Sequence, residues 1–382
     1  MANILLFGGG LQTLSLSRGL KIVGHQVINL GDSHAVGKYS NFIERFDSVE
    51  LPTFSLDEFI CYVKDLNVDV IIPTEDEYAE WLSRNKEDVE QLTNAKCAVM
   101  PDEVFSVVIN KTSLLNICDR FDIPHPLTCK LDIGNLVESA RGMKYPALIK
   151  PSVSNGARGI VKVENESELL EKAPDIIRGY GECALQEFID NPSHYYNAML
   201  YRYEDGSWNE IVIIKITRFY PIKGGSSSFC TTIQNPEIER ICKNLLEKLN
   251  WIGFADFDIL EKGNGDYRII EINPRVPASV HAAYISGVDY GRIMVADLLE
   301  NRKIQMKYTS GKQLRFLGLD IAWFLASPNR FRCEPSWFKL FGKDLHYQEG
   351  GIKDWKAMMY SIWSGIKKQL SPSFRKAKAG MN

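Results

Sequence analysis

The 382-residue sequence has no C-x-x-C pair among its eight cysteines, and its six histidines form no H-E-x-x-H or similar cluster. These absences argue against a zinc site and a disulfide framework, and they predict reduced thiols. No apolar run approaches the roughly 18 residues of a membrane-spanning helix. The first ten residues contain an apolar run of only four and no basic start, so we expect no secretory signal peptide. The sequence therefore predicts a cytoplasmic protein.

An excess of positive charge is also missing. Lys and Arg number 45 against 48 Asp and Glu, which gives a net charge of −3. We therefore predict no nucleic-acid partner, because binding to the phosphate backbone requires a basic surface. Apolar residues make up 45% and charged residues 24%. This composition and length are typical of a soluble protein with about two or three domains.

The first hundred residues alternate short aliphatic runs with helical stretches. Ser55 and Glu58 form an S-x-x-E capping box, which marks the start of one of these helices. Strands separated by helices predict parallel β-α-β units and hence a Rossmann-like α/β domain over residues 1–100. Pro101 should open one helix that runs to about Phe121.

The pattern changes after residue 126. Asp205-Gly206 lies between two β-rich runs, which is a strong hairpin signal. Gly263-Asn264-Gly265-Asp266 predicts a second hairpin, and residues 235–250 carry the apolar stripe of a helix. This region should therefore be mainly antiparallel.

The run Gly8-Gly9-Gly10-Leu11-Gln12-Thr13 follows a strand and opens a helix. A dinucleotide fingerprint would have a third glycine where Thr13 stands, and an acid that closes the second strand earlier than Asp32 does. We therefore predict a tight turn without NAD, and an NAD-dependent oxidoreductase remains only an alternative.

Lys150 ends an apolar strand and is followed by a run of small residues up to Gly159. Such a loop can bring its amides to phosphates while the lysine supplies a charge. A plain hairpin loop fits the residues equally well, because no Walker A motif is present.

Four polar residues alternate along the two strands of the second hairpin. Glu271 and Asn273 share one face of their strand, and Asp256 and Asp258 share one face of the neighbouring strand. Oxygen ligands of this kind suit Mg²⁺, which completes its coordination with water and phosphates. A solvated acidic face is the alternative interpretation.

These pieces, in this order, resemble the ATP-grasp superfamily, and in particular the carboxylate–amine or carboxylate–ammonia ligases related to the large chain of carbamoyl-phosphate synthase. The resemblance covers about residues 1–305 and is most specific at Ile270–Arg275, preceded by Phe254–Phe257. It implies a Rossmann-like pre-ATP-grasp domain at 1–100. A two-lobed, α+β ATP-grasp domain with antiparallel sheets then follows at 101–305, with a mobile lid lobe at about 127–190.

The resemblance also implies an ATP site with Mg²⁺, or with Mn²⁺ in its place. The residues that match the family's phosphate-binding positions are Lys111, Lys150, Ser154, Gly156, Arg158 and Gly159. The adenine hinge matches Glu187, Phe188 and Ile189, and His194 stands where the family holds the ribose. The metal ligands match Asp256, Glu271 and Asn273, and Asp258 is an open alternative to Asp256.

The implied reaction activates a small carboxylate as an acylphosphate and joins it to an amine, with release of ADP and phosphate. Arg275, Lys215 and Arg218 are the candidates to stabilise the phosphoryl group or bind the substrate carboxylate. A bicarbonate-activating carboxylase or carbamoyl-phosphate-type enzyme is the alternative within the superfamily. A nucleotide-binding module without turnover is an alternative of another class.

Residues 306–382 lie outside the resemblance and contain an amphipathic helix at about 354–370. Its apolar stripe includes Trp355 and Trp363, and basic residues lie off the stripe and after it. The pattern allows four partners for the two tryptophans: the enzyme's own body, a second subunit of a homodimer, a membrane interface, or a partner protein.

Overall fold

A computed structural model describes residues 1–153, 158–190, 195–222 and 225–370. Within these ranges, no helix combines the length and the hydropathy needed to cross a membrane.

The first hundred residues form a five-stranded parallel sheet with strand order β3-β2-β1-β4-β5. Its central strands are buried apolar runs, as parallel strands covered on both faces require. The predicted capping box of Ser55 and Glu58 is present. The strands are β1 (Asn3–Phe7), β2 (Gln26–Gly31), β3 (Arg45–Ser48), β4 (Val70–Pro73) and β5 (Lys96–Cys97), and the helices are α1 (Gln12–Ile22), α2 (Leu56–Asp65), α3 (Asp76–Arg84) and α4 (Lys86–Leu92).

The helix predicted from Pro101 is in fact two helices, α5 (Asp102–Ile109) and α6 (Lys111–Arg120). Asn110 breaks the helix because its backbone is extended, and its side chain accepts a hydrogen bond from the backbone N–H of Ser113. An asparagine in this position is a good helix cap. Lys111 therefore becomes the first residue of a new helix rather than an interior one.

Residues 128–187 form a lobe with its own antiparallel sheet, in the order β6-β9-β7-β8. A separate apolar cluster that includes Ile149, Leu169 and Leu185 holds the sheet against its helices. The elements are β6 (Thr128–Lys130), α7 (Leu136–Ser139), β7 (Ala147–Pro151), β8 (Val161–Val163), α8 (Glu166–Tyr180) and β9 (Cys183–Glu187).

The remaining strands form one seven-stranded sheet in the order β14-β13-β10-β11-β12-β15-β16. Both predicted hairpins occur in it as antiparallel pairs. The strands are β10 (Tyr195–Arg202), β11 (Val212–Tyr220), β12 (Ser226–Ile233), β13 (Gly253–Glu261), β14 (Tyr267–Asn273), β15 (Gln313–Arg315) and β16 (Leu345–Tyr347). The helices are α9 (Pro236–Lys248), α10 (Val280–Ile285), α11 (Tyr290–Glu300), α12 (Leu317–Ala326) and α13 (Trp355–Leu370).

The C-terminal helix α13 docks on the body of the protein, but through a different face from the one expected. Ala357 and Ser361 are buried, and the ring of Tyr360 lies 4.2 Å from that of Tyr39. Trp355 and Trp363, which should have docked, are 54% and 66% exposed. Ala357 packs against Leu14 and Val36 of the N-terminal domain, so this face of α13, and not the face of the two tryptophans, is the one that docks.

Candidate functional site

A cavity of about 1350 Å³ lies where the N-terminal sheet, the two lobes and α13 meet. Its lining includes seven of the predicted polar and charged residues, although they are far apart in sequence. These are Lys111, Arg158, Asp256, Asp258, Glu271, Asn273 and Arg275. The fold therefore brings two of the predicted phosphate-binding residues, Lys111 and Arg158, to the same cavity as the predicted metal-binding residues.

The hairpin of β13 and β14 sets the acidic part of the cavity. Its register pairs Asp256 with Asn273 and Asp258 with Glu271, so that all four side chains lie on one face. The Asn273 amide nitrogen lies 3.4 Å from Asp256 Oδ2 and 3.5 Å from Asp258 Oδ2. Asn197 of β10 also donates to Asp258, which continues the polar face onto the next strand.

The carboxyl groups of this hairpin differ strongly in acidity. Burial raises the pKa of Asp256 to about 8, and burial together with the nearby Glu271 charge raises that of Asp258 well above its usual range. Burial acts in the same sense on Glu271, but the Lys111 ammonium and a hydrogen bond from Asp258 bring its pKa down to about 2. These opposite shifts favour the proton on Asp258 and the negative charge on Glu271.

Two lysines face the acidic hairpin. Lys111 Nζ lies 3.2 Å from Glu271 Oε2. The backbone N–H of Lys111 also donates to the carbonyl of Ser152, at 2.8 Å, and this bond ties the start of α6 to the end of β7, where Lys150 lies. Lys150 Nζ donates to Gln186 Oε1 at 2.5 Å. Burial, aided by the Lys111 charge, lowers the pKa of Lys150 to about 8.

Arg275 links the hairpin to the N-terminal sheet. Its Nε donates to Asp76 Oδ1 at 2.7 Å, and its Nη2 lies 3.5 Å from Asn273 Oδ1. Asp76 is the first residue of α3, directly after strand β4. The guanidinium is therefore held at the cavity wall between two domains and beside the acidic hairpin.

The residues of the hairpin fit a divalent cation that is shared with a nucleotide. Asp256 Oδ1 is buried and has no hydrogen-bond partner among the described residues. Within the same residues, no group of three His, Cys, Asp or Glu side chains could hold a metal ion unaided. Mg²⁺ bound by one or two carboxylates, an amide oxygen, water and phosphates requires no such group.

Two predicted catalytic residues do not reach this cavity. Lys215 lies on the opposite face of β11 from the lining residue Ile216, and its Nζ is 5.8 Å from the centre of the Tyr196 ring. Arg218 is 1% exposed, and its Nε and Nη2 donate to Asp320 at 2.7 and 3.1 Å. The Arg218 guanidinium therefore pairs with Asp320 and holds α12 against the sheet. Neither Lys215 nor Arg218 is placed to bind a substrate in the cavity.

None of the predicted adenine-hinge residues lines the cavity, and neither does Gly159 of the predicted loop. The Glu187 carboxylate pairs with Lys262 and accepts from the backbone N–H of Leu127 at 3.3 Å, so that it is already partnered. The Phe188 ring lies 4.5 Å from Lys162 Nζ, and Ile189 is half-buried. Gly159 has a φ of +73°, which explains a glycine at that position. Ser154, Gly156 and His194 lie outside the described residues.

The glycine turn after β1 also lines the cavity, but one of its backbone N–H groups already donates a hydrogen bond to a protein carboxylate. The N–H of Gly9 donates to Glu75 Oε2 at 2.7 Å. A dinucleotide pyrophosphate would meet this negative charge at the point where it needs a free donor. This contact supports the prediction of a turn without NAD.

Several lining residues were missed by the sequence interpretation. Glu75 and Asp76 follow a buried parallel strand, and the carboxyl ends of such strands are common ligand positions, so this signal was available. Asn197 is a polar residue inside an apolar strand and was likewise detectable. Three further lining residues, Gln348, Tyr360 and Lys367, belong to the chain after residue 305, which we call the C-terminal extension. They reach the cavity only through the fold of this extension, and no local sequence pattern marks them.

Comparison with known proteins gives one family match and several relatives. Residues 110–279 match the model of the ATP-grasp domain. The chain is similar to the D-aspartate ligase of Enterococcus faecium (strain Aus0004), with 24% identity over 258 residues, which are 61% of this chain and 59% of the relative. It is also similar to the tetrahydromethanopterin:alpha-L-glutamate ligase of Methanococcus maripaludis, with 26% identity over 210 residues, 51% of this chain and 66% of the relative.

The chain thus spans about 59% and 66% of the lengths of these two relatives. Its fold is similar to that of a biotin carboxylase–β,γ-ATP complex from Campylobacter jejuni. The TM-score is 0.68 at 15% identity, and the match covers 82% of this chain and 74% of that chain.

Proposed function

We propose that this chain is an ATP-dependent ligase that joins a small carboxylate to an amine and releases ADP and phosphate, since residues 110–279 match the model of the ATP-grasp domain. The observation that carries the proposal is the meeting of Lys111, Lys150 and the acidic hairpin around Glu271. The names of the two relatives both specify an acidic amino acid. This supports an acidic amino acid as one of the substrates.

In the proposed first step, an oxygen of the substrate carboxylate attacks the γ-phosphorus of ATP and ADP leaves. Lys111 and Lys150 hold the phosphates, and Arg275 stabilises the charge on the transferring group. Such a step depends on positioning and charge neutralisation rather than on a covalent protein intermediate. In the second step the amine attacks the acyl carbon and phosphate leaves, so that an amide remains.

We assign Mg²⁺ to Glu271 and Asn273, together with Asp256 or Asp258. When bound there, it supplies positive charge that neutralises the phosphates. The proton on Asp258 would be released on binding, because a cation and a proton compete for the same oxygens. Comparing Asp256→Asn with Asp258→Asn for the Mg²⁺ concentration at half-maximal rate separates the two aspartates.

A release assay tests the proposed function. Purified protein with ATP and Mg²⁺ is screened for ADP formation over pooled amino acids, dipeptides and sugar acids, beginning with D- and L-aspartate and glutamate. We expect ADP only where an acid and an amine are both present, and hydroxylamine should replace the amine and yield a hydroxamate. Formation of AMP in place of ADP, or ADP formation at the same rate with and without the pooled compounds, would contradict the proposal.

We predict that Lys150→Ala lowers kcat/KM, because it removes one preorganised electrostatic contact. The expected loss of transition-state stabilisation is about 2–4 kcal/mol. Steady-state ADP release provides the measurement. Lys172→Ala is the matched control, because Lys172 pairs with Glu168 within helix α8, away from the acidic hairpin. A loss below threefold in Lys150→Ala would mean that Lys150 has a structural role only.

We also predict that ATP affinity falls as the pH rises above about 8. The pKa of Lys150 is about 8, so the free protein loses this positive charge as the pH rises through that value, and the phosphates bind the protonated amine. Asp256 ionises in the same range. Lys150→Gln separates the two groups: measured by calorimetry, it should bind ATP more weakly than the wild type at pH 7, and its affinity should decline less steeply above pH 8.

A further inference from the structure

Exposed apolar side chains are concentrated in the C-terminal extension. Nine of the 22 exposed large apolar residues of the described chain lie between residues 325 and 363. Phe331, Phe338 and Phe341 are 69%, 59% and 88% exposed, and Leu325 is 73% exposed. Surfaces of this kind mark interaction sites rather than ordinary solvent-facing surface.

The aromatic residues form one continuous patch, which we call the aromatic patch and define as residues 324–341. The ring of Phe324 contacts three neighbours, with centroid distances of 5.6 Å to Phe331, 4.3 Å to Trp337 and 5.7 Å to Phe338. Trp337 donates its indole N–H to the carbonyl of Asp320 at 3.1 Å. The exposed rings are therefore held on an ordered base.

Helix α13 presents a second exposed apolar face. Trp355, Met359 and Trp363 recur every four residues and are 54%, 54% and 66% exposed. Residues spaced by four lie on one side of a helix. This outward stripe has no covering element in the described chain, because α13 docks through Ala357 and Ser361 on its other side.

The charge around both apolar surfaces is positive, although the whole chain is slightly acidic. Residues 321–370 contain eight Lys and Arg against four Asp and Glu. Two of the four acids, Glu349 and Asp354, are buried, Asp344 is paired with Lys312 at 2.7 Å, and the fourth, Glu334, is exposed within residues 324–341. Arg330 lies over the aromatic patch, 5.3 Å from the Phe331 ring centre. The sequence beyond residue 370 adds three basic residues and no acidic one.

We propose that the C-terminal extension binds the surface of an anionic lipid bilayer, with the aromatic patch and the outward stripe of α13 in contact with the interface. Aromatic side chains that project among lysines and arginines suit this boundary, because rings enter the acyl edge while cations meet the headgroups. A partner protein would require a matching acidic and apolar surface, and nothing in the described chain specifies one.

The proposal places the cavity beside the membrane. Trp363 both lines the cavity and belongs to the outward stripe. If the ligase function holds, the reaction then occurs at the bilayer surface. Binding itself needs no turnover, so the membrane proposal and the ligase proposal can fail independently.

Vesicle sedimentation of the full chain tests this proposal. We expect the protein to pellet with vesicles of phosphatidylcholine and phosphatidylglycerol and to remain in the supernatant with phosphatidylcholine alone. A triple variant, Arg332→Gln, Lys339→Gln and Lys343→Gln, should bind on the order of a hundredfold more weakly, at about 1 kcal/mol for each cation near an anionic surface. Its control is Lys64→Gln, Lys144→Gln and Lys248→Gln, which removes as much charge elsewhere and should bind as wild type.

A second triple variant, Phe331→Ser, Phe338→Ser and Phe341→Ser, should also lose binding, while Ile22→Ser, Leu92→Ser and Tyr180→Ser should not. Thermal melting checks that each variant is folded. If the aromatic variant does not fold, the charge variant alone tests the proposal. Equal pelleting with neutral vesicles, or wild-type binding by both triple variants, would overturn the proposal. The proposal would also be overturned if the protein bound no vesicles and formed a stable dimer that the aromatic substitutions dissociate. That result would assign the surface to a second copy of the chain.

Discussion

Glu271→Gln should lower kcat about 100- to 1000-fold while the melting temperature remains close to that of the wild type. The amide keeps the size and polarity of a side chain that is 29% exposed, but it loses the charge that faces Lys111 and the proposed cation site. Losses of this size follow removal of one preorganised electrostatic contact at a reacting phosphoryl or acyl group. ADP release under saturating ATP and substrates measures the effect.

The control for this prediction is Asp266→Asn, which lies in the turn of the same hairpin and pairs with Arg268 at 2.8 Å. It should retain wild-type activity. Asn273→Ala should resemble Glu271→Gln, because both remove a proposed cation ligand. Activity within threefold of the wild type in both Glu271→Gln and Asn273→Ala, at ordinary Mg²⁺ concentrations, would refute the assignment of these residues to the metal.

Asp320→Ala should lower the free energy of unfolding by about 3–5 kcal/mol, because it leaves buried arginines without their counter-charge. Asp320 is fully buried and pairs with Arg218 at 2.7 Å and with Arg315 at 2.9 Å. These two arginines belong to β11 and β15, and Asp320 belongs to α12. The triad thus fixes the C-terminal extension to the central sheet.

Urea titration followed by fluorescence measures this loss. The matched control is Asp344→Ala, which breaks the ion pair with Lys312, where Asp344 is 52% exposed. Exposed pairs contribute about 0–1 kcal/mol, so this control should be nearly neutral. If Asp320→Ala were as stable as Asp344→Ala, the triad would not be what holds the extension.

The acidic hairpin could be predicted because its signals are local. Alternation along two short strands and a glycine-containing turn between them determine which side chains share a face. The pairing of Asp258 with Glu271 does not follow from the turn alone, because an irregularity between Asp258 and Ile259 shifts the register by one residue. Lys111 was also assigned from its own neighbourhood, although the helix break that exposes it depends on Asn110 as a cap.

Arg218 shows what local patterns cannot supply. It follows a β-rich run near a small-residue loop, which suggested phosphate binding, yet its partner Asp320 is 102 residues away. The fold of the C-terminal extension was not predicted either, because its contacts also join residues that are far apart in sequence. Strand β15 has three residues and pairs with β12, more than 80 residues earlier. Helix α12 is mostly apolar around its whole circumference, so it shows no periodic stripe.

Transfer of oxygen from the substrate carboxylate to phosphate tests the ligase chemistry most directly. The acid identified by the release screen is labelled with ¹⁸O in its carboxylate and incubated with amine, ATP and Mg²⁺, and the released phosphate is analysed by ³¹P NMR or mass spectrometry. An acylphosphate route predicts one ¹⁸O atom in each phosphate released together with amide, because the carboxylate oxygen that attacked phosphorus leaves with it. Amide formation with unlabelled phosphate would contradict the proposed mechanism.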